Sequence, residues 1–183
     1  MTRTFGVLSL LILLGGCATP SVQFHTLMPA PGQALDNQPQ APAIQVEQVL
    51  VPAYVDRSEL VVRQGDTGLV VLSSDWWGAT LAEEIRGALM ARLAFDGDED
   101  DPTRVSVRLT RFDAVAGQGV WLTARFRLSA DQRSLGCTTN LHRDAGNGVE
   151  ALVSALQASV AELAGQIQAA AAQAPSAWRC PGR

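Results

Sequence analysis

The chain of 183 residues is poor in the side chains that carry most enzyme chemistry. It has two histidines, one tyrosine and three cysteines, and only 17% of its residues are charged. It has no clustered histidines and cysteines with the spacing of zinc ligands, and no signature motif of a serine hydrolase, a zinc protease or a phosphate-binding loop. A formal net charge of −4 argues against nucleic acid as a partner, since phosphate binding requires a basic surface. We therefore expect no enzyme, no metal site and no nucleic-acid partner.

The few titratable residues do not form a catalytic arrangement. His25 and His142 lie on separate predicted strands without a companion motif, so we interpret both as structural or exposed. The neighbouring carboxylates Glu83 and Glu84 fall on the flank of a predicted helix and are interpreted as a solvated face. A periplasmic enzyme of unrecognised type remains an alternative, and buried titratable groups converging in one cleft would be its signature.

The longest apolar run, residues 5–14, is too short to span a bilayer as a helix but has the length of a signal-peptide core. It leads into Leu14-Gly15-Gly16-Cys17, which resembles a bacterial lipobox. At such a site the cysteine sulfur is alkylated with diacylglycerol, the chain is cut before the cysteine, and the new amino terminus is acylated. The alternative is a plain signal peptide with an incidental cysteine. Ala18, by resemblance to enterobacterial lipoproteins, favours export to the outer membrane.

The other two cysteines, Cys137 and Cys180, are predicted to form a disulfide in the oxidising periplasm. Closing a loop of about 40 residues stabilises a fold by about 4 kcal/mol in the chain-entropy model. The bond would also hold the C-terminal tail against the rest of the domain. Two free thiols are the alternative.

Hydrophobic periodicity predicts an α+β fold, a single domain with one mostly antiparallel sheet and two amphipathic helices packed on one face. A change of parity predicts a bulge near Gln48, and Asn147 with Glu150 predicts a capping box at the start of the second helix. The predicted strands cover 22–29, 44–52, 59–63, 68–72, 103–115, 120–130 and 134–143, and the predicted helices cover 78–95 and 147–173.

The predicted organisation has four parts. Residues 1–16 are a lipoprotein signal peptide, and residues 17–42 are the lipidated N-terminus with the first strand and a loop. Residues 43–174 are the remainder of the α+β domain, to which the first strand at 21–28 also belongs, and residues 175–183 are a C-terminal tail.

Three arginines are predicted to share the sheet face opposite the helices, namely Arg108, Arg125 and Arg127, with Trp121 nearby. Such a face either binds a protein partner or an anionic lipid, or simply exposes polar residues to water. Trp76 and Trp77 are interpreted as core and rim residues rather than a lipid slot.

Several segments together resemble the PqiC/YmbA family of ABC-type and MCE-associated auxiliary lipoproteins. They are the lipobox, "FHTLMP", "IQVEQVLVPAYVDRSELVVR", "WWGATLAEEIRGALMARL", "RVSVRLTRFD" and "VWLTARFRL". The most specific part is residues 51–57, in which Tyr54, Asp56 and Arg57 are candidates for partner contact because tyrosine and arginine are enriched at interface hot spots. The alternative is that Tyr54 packs on the end of the sheet while Asp56 and Arg57 shape a turn.

The resemblance implies a non-catalytic lipoprotein on the periplasmic side of the outer membrane. Such a protein would dock a periplasmic MCE-type protein of an intermembrane lipid-transport system, and self-association into a homo-oligomer is a further implication. No cofactor is implied beyond the covalent diacylglycerol and N-acyl chain on Cys17. A lipid-binding carrier lipoprotein is the alternative function, and it predicts an apolar cavity above roughly 300 Å³ between sheet and helices.

Overall fold

The computed structural model describes residues 21–31, 42–93 and 102–181, so the predicted lipidation site Cys17 lies outside the described residues. The order along the chain is strands, a helix, strands and a second helix, as expected. The predicted α+β class is confirmed. The described elements are β1 (Gln23–His25), β2 (Ile44–Leu50), β3 (Glu59–Gln64), β4 (Gly68–Trp77), α1 (Leu81–Met90), β5 (Thr103–Val115), β6 (Gly119–Ala130), β7 (Arg133–Arg143), α2 (Val149–Ala171) and a 3-10 turn (Pro175–Ala177).

The strands form two sheets rather than one. One sheet has the order β1-β4-β3 and the other has the order β2-β5-β6-β7. The pairs β1/β4 and β2/β5 are parallel, and the remaining pairs are antiparallel. The division arises because β2 pairs with β5 only as far as Leu50 and Arg108, after which β3 lies beside the second half of β5 without joining its ladder. Side-chain periodicity reports which face of a strand is buried, not which strand is its neighbour.

Two bulges in the four-stranded sheet set which of its side chains face outward. The shift predicted near Gln48 is confirmed, since the register between β2 and β5 changes between Val46 and Gln48. A second shift, between Leu109 and Arg111, interrupts the pairing of β5 with β6. One extra residue reverses the alternation of side chains. Beyond this second bulge, Arg111 therefore points to the face away from the helices.

Both helices pack on the same face of the four-stranded sheet, α1 mainly over β2 and α2 mainly over β6. Helix α1 begins with a capping box in which the Thr80 hydroxyl accepts from the Glu83 amide and the Glu83 carboxylate accepts from the Thr80 amide. The capping box expected for α2 is wrong. Gly148 occupies the N-cap position and makes no side-chain bond, so Glu150 falls at the second helical residue instead of the third.

The C-terminal tail returns to the edge of β7. The sulfur atoms of Cys137 and Cys180 are bonded at 2.09 Å, with their Cα atoms 5.5 Å apart. Trp178 is buried nearby, and its indole N–H donates to the carbonyl of Gln173 at 3.0 Å. The tail is therefore held by a covalent bond and a buried indole.

Candidate functional site

Many polar side chains lie on the face of the four-stranded sheet that points away from the helices, here called the open face. Strand register places its side chains in rows across β5, β6 and β7. The rows are Asp113–Trp121–His142, Arg111–Thr123–Asn140, Arg108–Arg125–Thr138 and Ser106–Arg127–Gly136. The first rows lie where β3 adjoins β5, and the last two lie beside β2.

A buried carboxylate connects the two sheets. Asp113 is only 4% exposed. Its Oδ1 accepts from the Tyr54 hydroxyl at 2.8 Å and from Arg63 Nη2 at 3.4 Å, and its Oδ2 accepts from Arg111 Nε at 2.7 Å. The Tyr54 oxygen in turn accepts from the Phe112 amide at 3.2 Å. We call Asp113, Tyr54, Arg63 and Arg111 the Asp113 joint, because their bonds link β3 and the preceding turn to β5.

The electrostatics of the joint favour an ionised aspartate. Burial opposes ionisation of Asp113, but the bonds from Arg111, Tyr54 and Arg63 outweigh it, so the pKa of this carboxyl is lowered from its ordinary value. Burial, followed by the bond and charge of Asp113, raises the pKa of Tyr54 despite the opposing bond from Phe112. The joint therefore holds one negative charge between two guanidinium groups and a neutral phenol.

The joint gives the alternative of an enzyme no support. Titratable groups do converge there, as the enzyme alternative requires. Both oxygens of Asp113 are already hydrogen-bonded to the protein, however, and the Tyr54 hydroxyl also donates within the joint. Asp113 is also only 4% exposed, so a substrate has little access to its carboxylate. The arrangement is that of a structural connection between sheets.

The three candidate partner-binding residues occupy different environments. Tyr54 is partly buried with its hydroxyl engaged in the joint, whereas Asp56 and Arg57 are exposed. Arg57 Nε lies 3.1 Å from a carboxylate oxygen of Glu59, and the turn is closed by the Val55 amide donating to the carbonyl of Pro52 at 3.0 Å. The joint thus fixes a turn that is followed directly by the exposed residues Asp56 and Arg57, and their part in partner binding remains a prediction.

An exposed stack of rings continues the open face from the joint. The rings of Trp121 and His142 are 4.6 Å apart and nearly parallel, and the Arg111 guanidinium lies 5.3 Å from the centre of the Trp121 ring. His142 Nε2 is 3.8 Å from the carboxylate of Asp144. Arg111 therefore serves both the joint and the stack, and His142 is an exposed stacking residue, as interpreted.

A second buried carboxylate connects the N-terminal strand segment to α1, and sequence reasoning missed it. Glu84 is 7% exposed, and its Oε2 accepts from the Thr26 hydroxyl at 2.7 Å and from the Leu27 amide at 2.8 Å. The interpretation of Glu84 as part of a solvated face is therefore wrong. Gly78 makes this approach possible, because a Cβ there would lie 2.9 Å from Glu84 Oε1.

Trp76, Trp77 and His25, which lie at or near the β1/β4 pair, have structural roles. Trp77 is buried in the core, while Trp76 lies at its rim with its indole N–H donating to the carbonyl of Ser73 at 3.0 Å. His25 Nε2 lies 2.9 Å from Asp75 Oδ1, across the parallel pair that β1 forms with β4. These contacts tie β1 to its neighbour.

The interior between the four-stranded sheet and the helices is filled by apolar side chains. Fully buried residues there include Leu89, Leu122, Leu128, Leu156 and Leu163. Two grooves lined by described residues lie on the outside. One, of about 510 Å³, is on the open face, and the other, of about 620 Å³, lies between the end of β7 and α2. The described residues of this interior therefore form a packed apolar core.

Residues 21–31, 42–93 and 102–181 contain neither a cluster of metal-binding side chains nor a membrane-spanning helix. These residues contain no group of three or more histidine, cysteine, aspartate or glutamate side chains that could hold a metal ion. They also contain no helix with the length and apolarity needed to cross a bilayer.

Comparison with known proteins relates the chain to transport accessory proteins. The profile of the family described as the ABC-type transport auxiliary lipoprotein component matches residues 25–168. Among solved structures, the crystal structure of an uncharacterised protein is similar with a TM-score of 0.67 and 19% identity, covering 81% of this chain and 97% of the other. A Xanthomonas campestris protein of the DUF330 family is similar with a TM-score of 0.57 and 17% identity, covering 81% and 90%. No curated protein matches.

Proposed function

Because the chain belongs to the family of ABC-type transport auxiliary lipoprotein components, we propose that it is a lipid-anchored, non-catalytic subunit of an intermembrane lipid-transport system. In this role the protein sits on the periplasmic face of the outer membrane and docks an MCE-type periplasmic protein. The observation that carries the proposal is the family match over residues 25–168 together with the lipobox that ends at Cys17.

The N-terminal segment supports a position at the membrane surface. Three apolar side chains follow the predicted anchor and are exposed: Val22 at 46%, Phe24 at 70% and Met28 at 40%. Seven residues of extended chain span at most about 25 Å, so Phe24 lies within that distance of Cys17. Exposed apolar residues held this close to a bilayer by acyl chains gain from contact with its interface. We therefore assign the membrane-facing end to the β1 segment.

The segment that follows the turn between β2 and β3 is our candidate for partner contact. Asp56 and Arg57 are exposed there, and the Asp113 joint fixes the turn that precedes them. Holding a contact residue in place before binding reduces the entropy that association costs. Tyr54 acts in this proposal as a positioning residue, since its hydroxyl is bonded within the protein.

A photo-crosslinking experiment tests the docking role. A crosslinking amino acid replaces Arg57 in the full-length protein in cells, and the crosslinked partner is identified by mass spectrometry. We expect an MCE-type periplasmic protein to be recovered. The matched control places the same amino acid at Arg86, an exposed arginine on α1 without a hydrogen bond or ion pair among the described residues. Recovery of no MCE-type protein at position 57, or equal recovery at both positions, would contradict the assignment.

A further inference from the structure

Three arginines converge on adjacent strands at the β2 end of the open face. Arg108 on β5 is the direct cross-strand partner of Arg125 on β6, and Arg127 follows two residues later on the same face of β6. All three are exposed. Directly opposed residues in an antiparallel pair have Cβ atoms about 5 Å apart, so three positive charges share a small area.

This arrangement costs stability, and no direct ion pair with these three arginines offsets the cost within the described part of the chain. Like charges directly opposite each other destabilise an antiparallel pair. No hydrogen bond or ion pair joins Arg108, Arg125 or Arg127 to another described residue, whereas Arg111 and Arg143 pair with Asp113 and Glu162. The folding of the sheet therefore does not explain why these positions are arginine.

The three arginines line a groove rather than a flat surface. Its volume is about 510 Å³, which falls within the range of small-ligand sites. Gln48, Ser106 and Thr138 add polar groups to the lining, and Leu50 adds an apolar one. Gly136, the cross-strand partner of Arg127, leaves the groove open, because nothing lies within 4 Å of the place its Cβ would take. We call this the arginine groove.

We propose that the arginine groove binds a phosphate-bearing anion. A guanidinium fork matches the oxygens of a phosphate group and forms charge-assisted bonds with it, and a bound phosphate would relieve the repulsion between Arg108 and Arg125. The compact groove, with charge on two adjacent rows and an apolar edge at Leu50, suits one phosphate group with a short organic substituent. Phospholipid headgroups and soluble phosphate esters share this chemistry. The inference goes beyond the docking role and does not depend on it.

Binding to the purified mature protein in non-ionic detergent tests the inference. Isothermal titration is carried out with dihexanoylphosphatidylglycerol, glycerol phosphate and inorganic phosphate, and with zwitterionic dihexanoylphosphatidylcholine for comparison. We expect phosphatidylglycerol to bind, and its affinity to fall at least tenfold in R108Q and in R125Q. Equal binding of glycerol phosphate would indicate that phosphate alone is recognised, whereas binding of the lipid only would indicate headgroup recognition with part of the acyl region. Both outcomes support the site.

Arg86→Gln is the matched control, since it removes the same charge from an exposed position on α1. The unliganded R108Q and R125Q proteins should unfold at the wild-type temperature or above it, because each substitution removes a repulsion. Failure of phosphatidylglycerol, glycerol phosphate and inorganic phosphate alike to bind the wild-type protein would overturn the proposal. So would an equal loss of affinity in Arg86→Gln, or binding of an acidic polypeptide such as polyglutamate in place of every phosphate compound.

Discussion

The open face carries two clusters of charged residues built in opposite ways. In the Asp113 joint, both oxygens of a nearly inaccessible carboxylate accept bonds from the protein, and these bonds connect elements far apart in sequence. In the arginine groove, three exposed cations face one another without an acidic partner among the described residues. The charges of the Asp113 joint therefore stabilise the fold, whereas the charges of the arginine groove remain available to a ligand. Buried charge must be paired to be tolerated, whereas exposed unpaired charge of one sign weakens the sheet and requires another explanation.

The strongest test of the joint removes its carboxylate. We expect Asp113→Ala to lower the free energy of unfolding by about 3 kcal/mol, because the Tyr54 hydroxyl and Arg63 lose a partner at a site closed to water. Urea unfolding followed by circular dichroism measures the loss. Arg111→Gln serves as the comparison, since Arg111 is largely exposed and should cost about 1 kcal/mol. Equal losses in the two variants would mean that burial of Asp113 does not matter.

Acid should weaken the joint selectively. The pKa of Asp113 is lowered in the folded state, so its stabilising effect is present above the ordinary aspartate value of about 3.9 and is lost as the pH falls below it. The stability difference between the wild-type protein and Asp113→Asn should therefore shrink as the pH is lowered from 5 to 2. Urea unfolding at intervals across this range measures it. A difference that stays constant with pH would show that the carboxylate is not stabilised by its partners.

Removing only the phenol hydroxyl should have a smaller effect. Tyr54→Phe keeps the ring but leaves the Phe112 amide without its acceptor, and we expect a loss of about 1 kcal/mol. Because the pKa of Tyr54 is raised in the folded protein, the loss should be full below pH 10 and should decrease above it. Chemical unfolding of both proteins at pH 8 and above pH 10 measures this. A loss of stability in Tyr54→Phe that grows above pH 10 would contradict a raised pKa of Tyr54 in the folded protein.

The smallest expected effect is a gain in stability, and it comes from a substitution in the arginine groove. Arg125→Gln should raise the free energy of unfolding by about 0.5 kcal/mol at low salt, because it removes the charge directly opposite Arg108. Added salt screens exposed charges, so the gain should fade at high ionic strength. Unfolding of wild type and variant at two salt concentrations measures the effect. A destabilised variant would show that Arg125 already has a partner within the protein.

Prediction from sequence succeeded for structural features that depend on a residue and its near neighbours in the chain. Alternation along β6 and the four-residue spacing in α1 predicted the buried faces, and a local change of parity predicted the bulge near Gln48. The outward placement of Arg108, Arg125 and Arg127 followed from the same alternation. Each of these features depends on side chains only a few positions apart.

It failed where the partner lies far along the chain. Asp113 is bonded to a tyrosine 59 positions away, and Glu84 is bonded to Thr26, 58 positions away. A carboxylate on a strand or on a helix flank looks the same whether its partner is water or a distant amide. The separation into two sheets was missed for the same reason, since β3 and β5 are far apart in the sequence and become neighbours only in the folded domain. The small residue at Gly78, next to the start of α1, was a signal that something approaches closely there.

Metabolic labelling with palmitate tests the central claim of a lipid-anchored auxiliary subunit most directly. Full-length wild-type protein and Cys17→Ser are expressed in cells fed labelled palmitate, and their envelopes are fractionated. We predict that the wild-type protein is labelled and found in the outer-membrane fraction, whereas Cys17→Ser carries no label. Wild-type protein that is unlabelled and recovered in the soluble fraction would contradict the account.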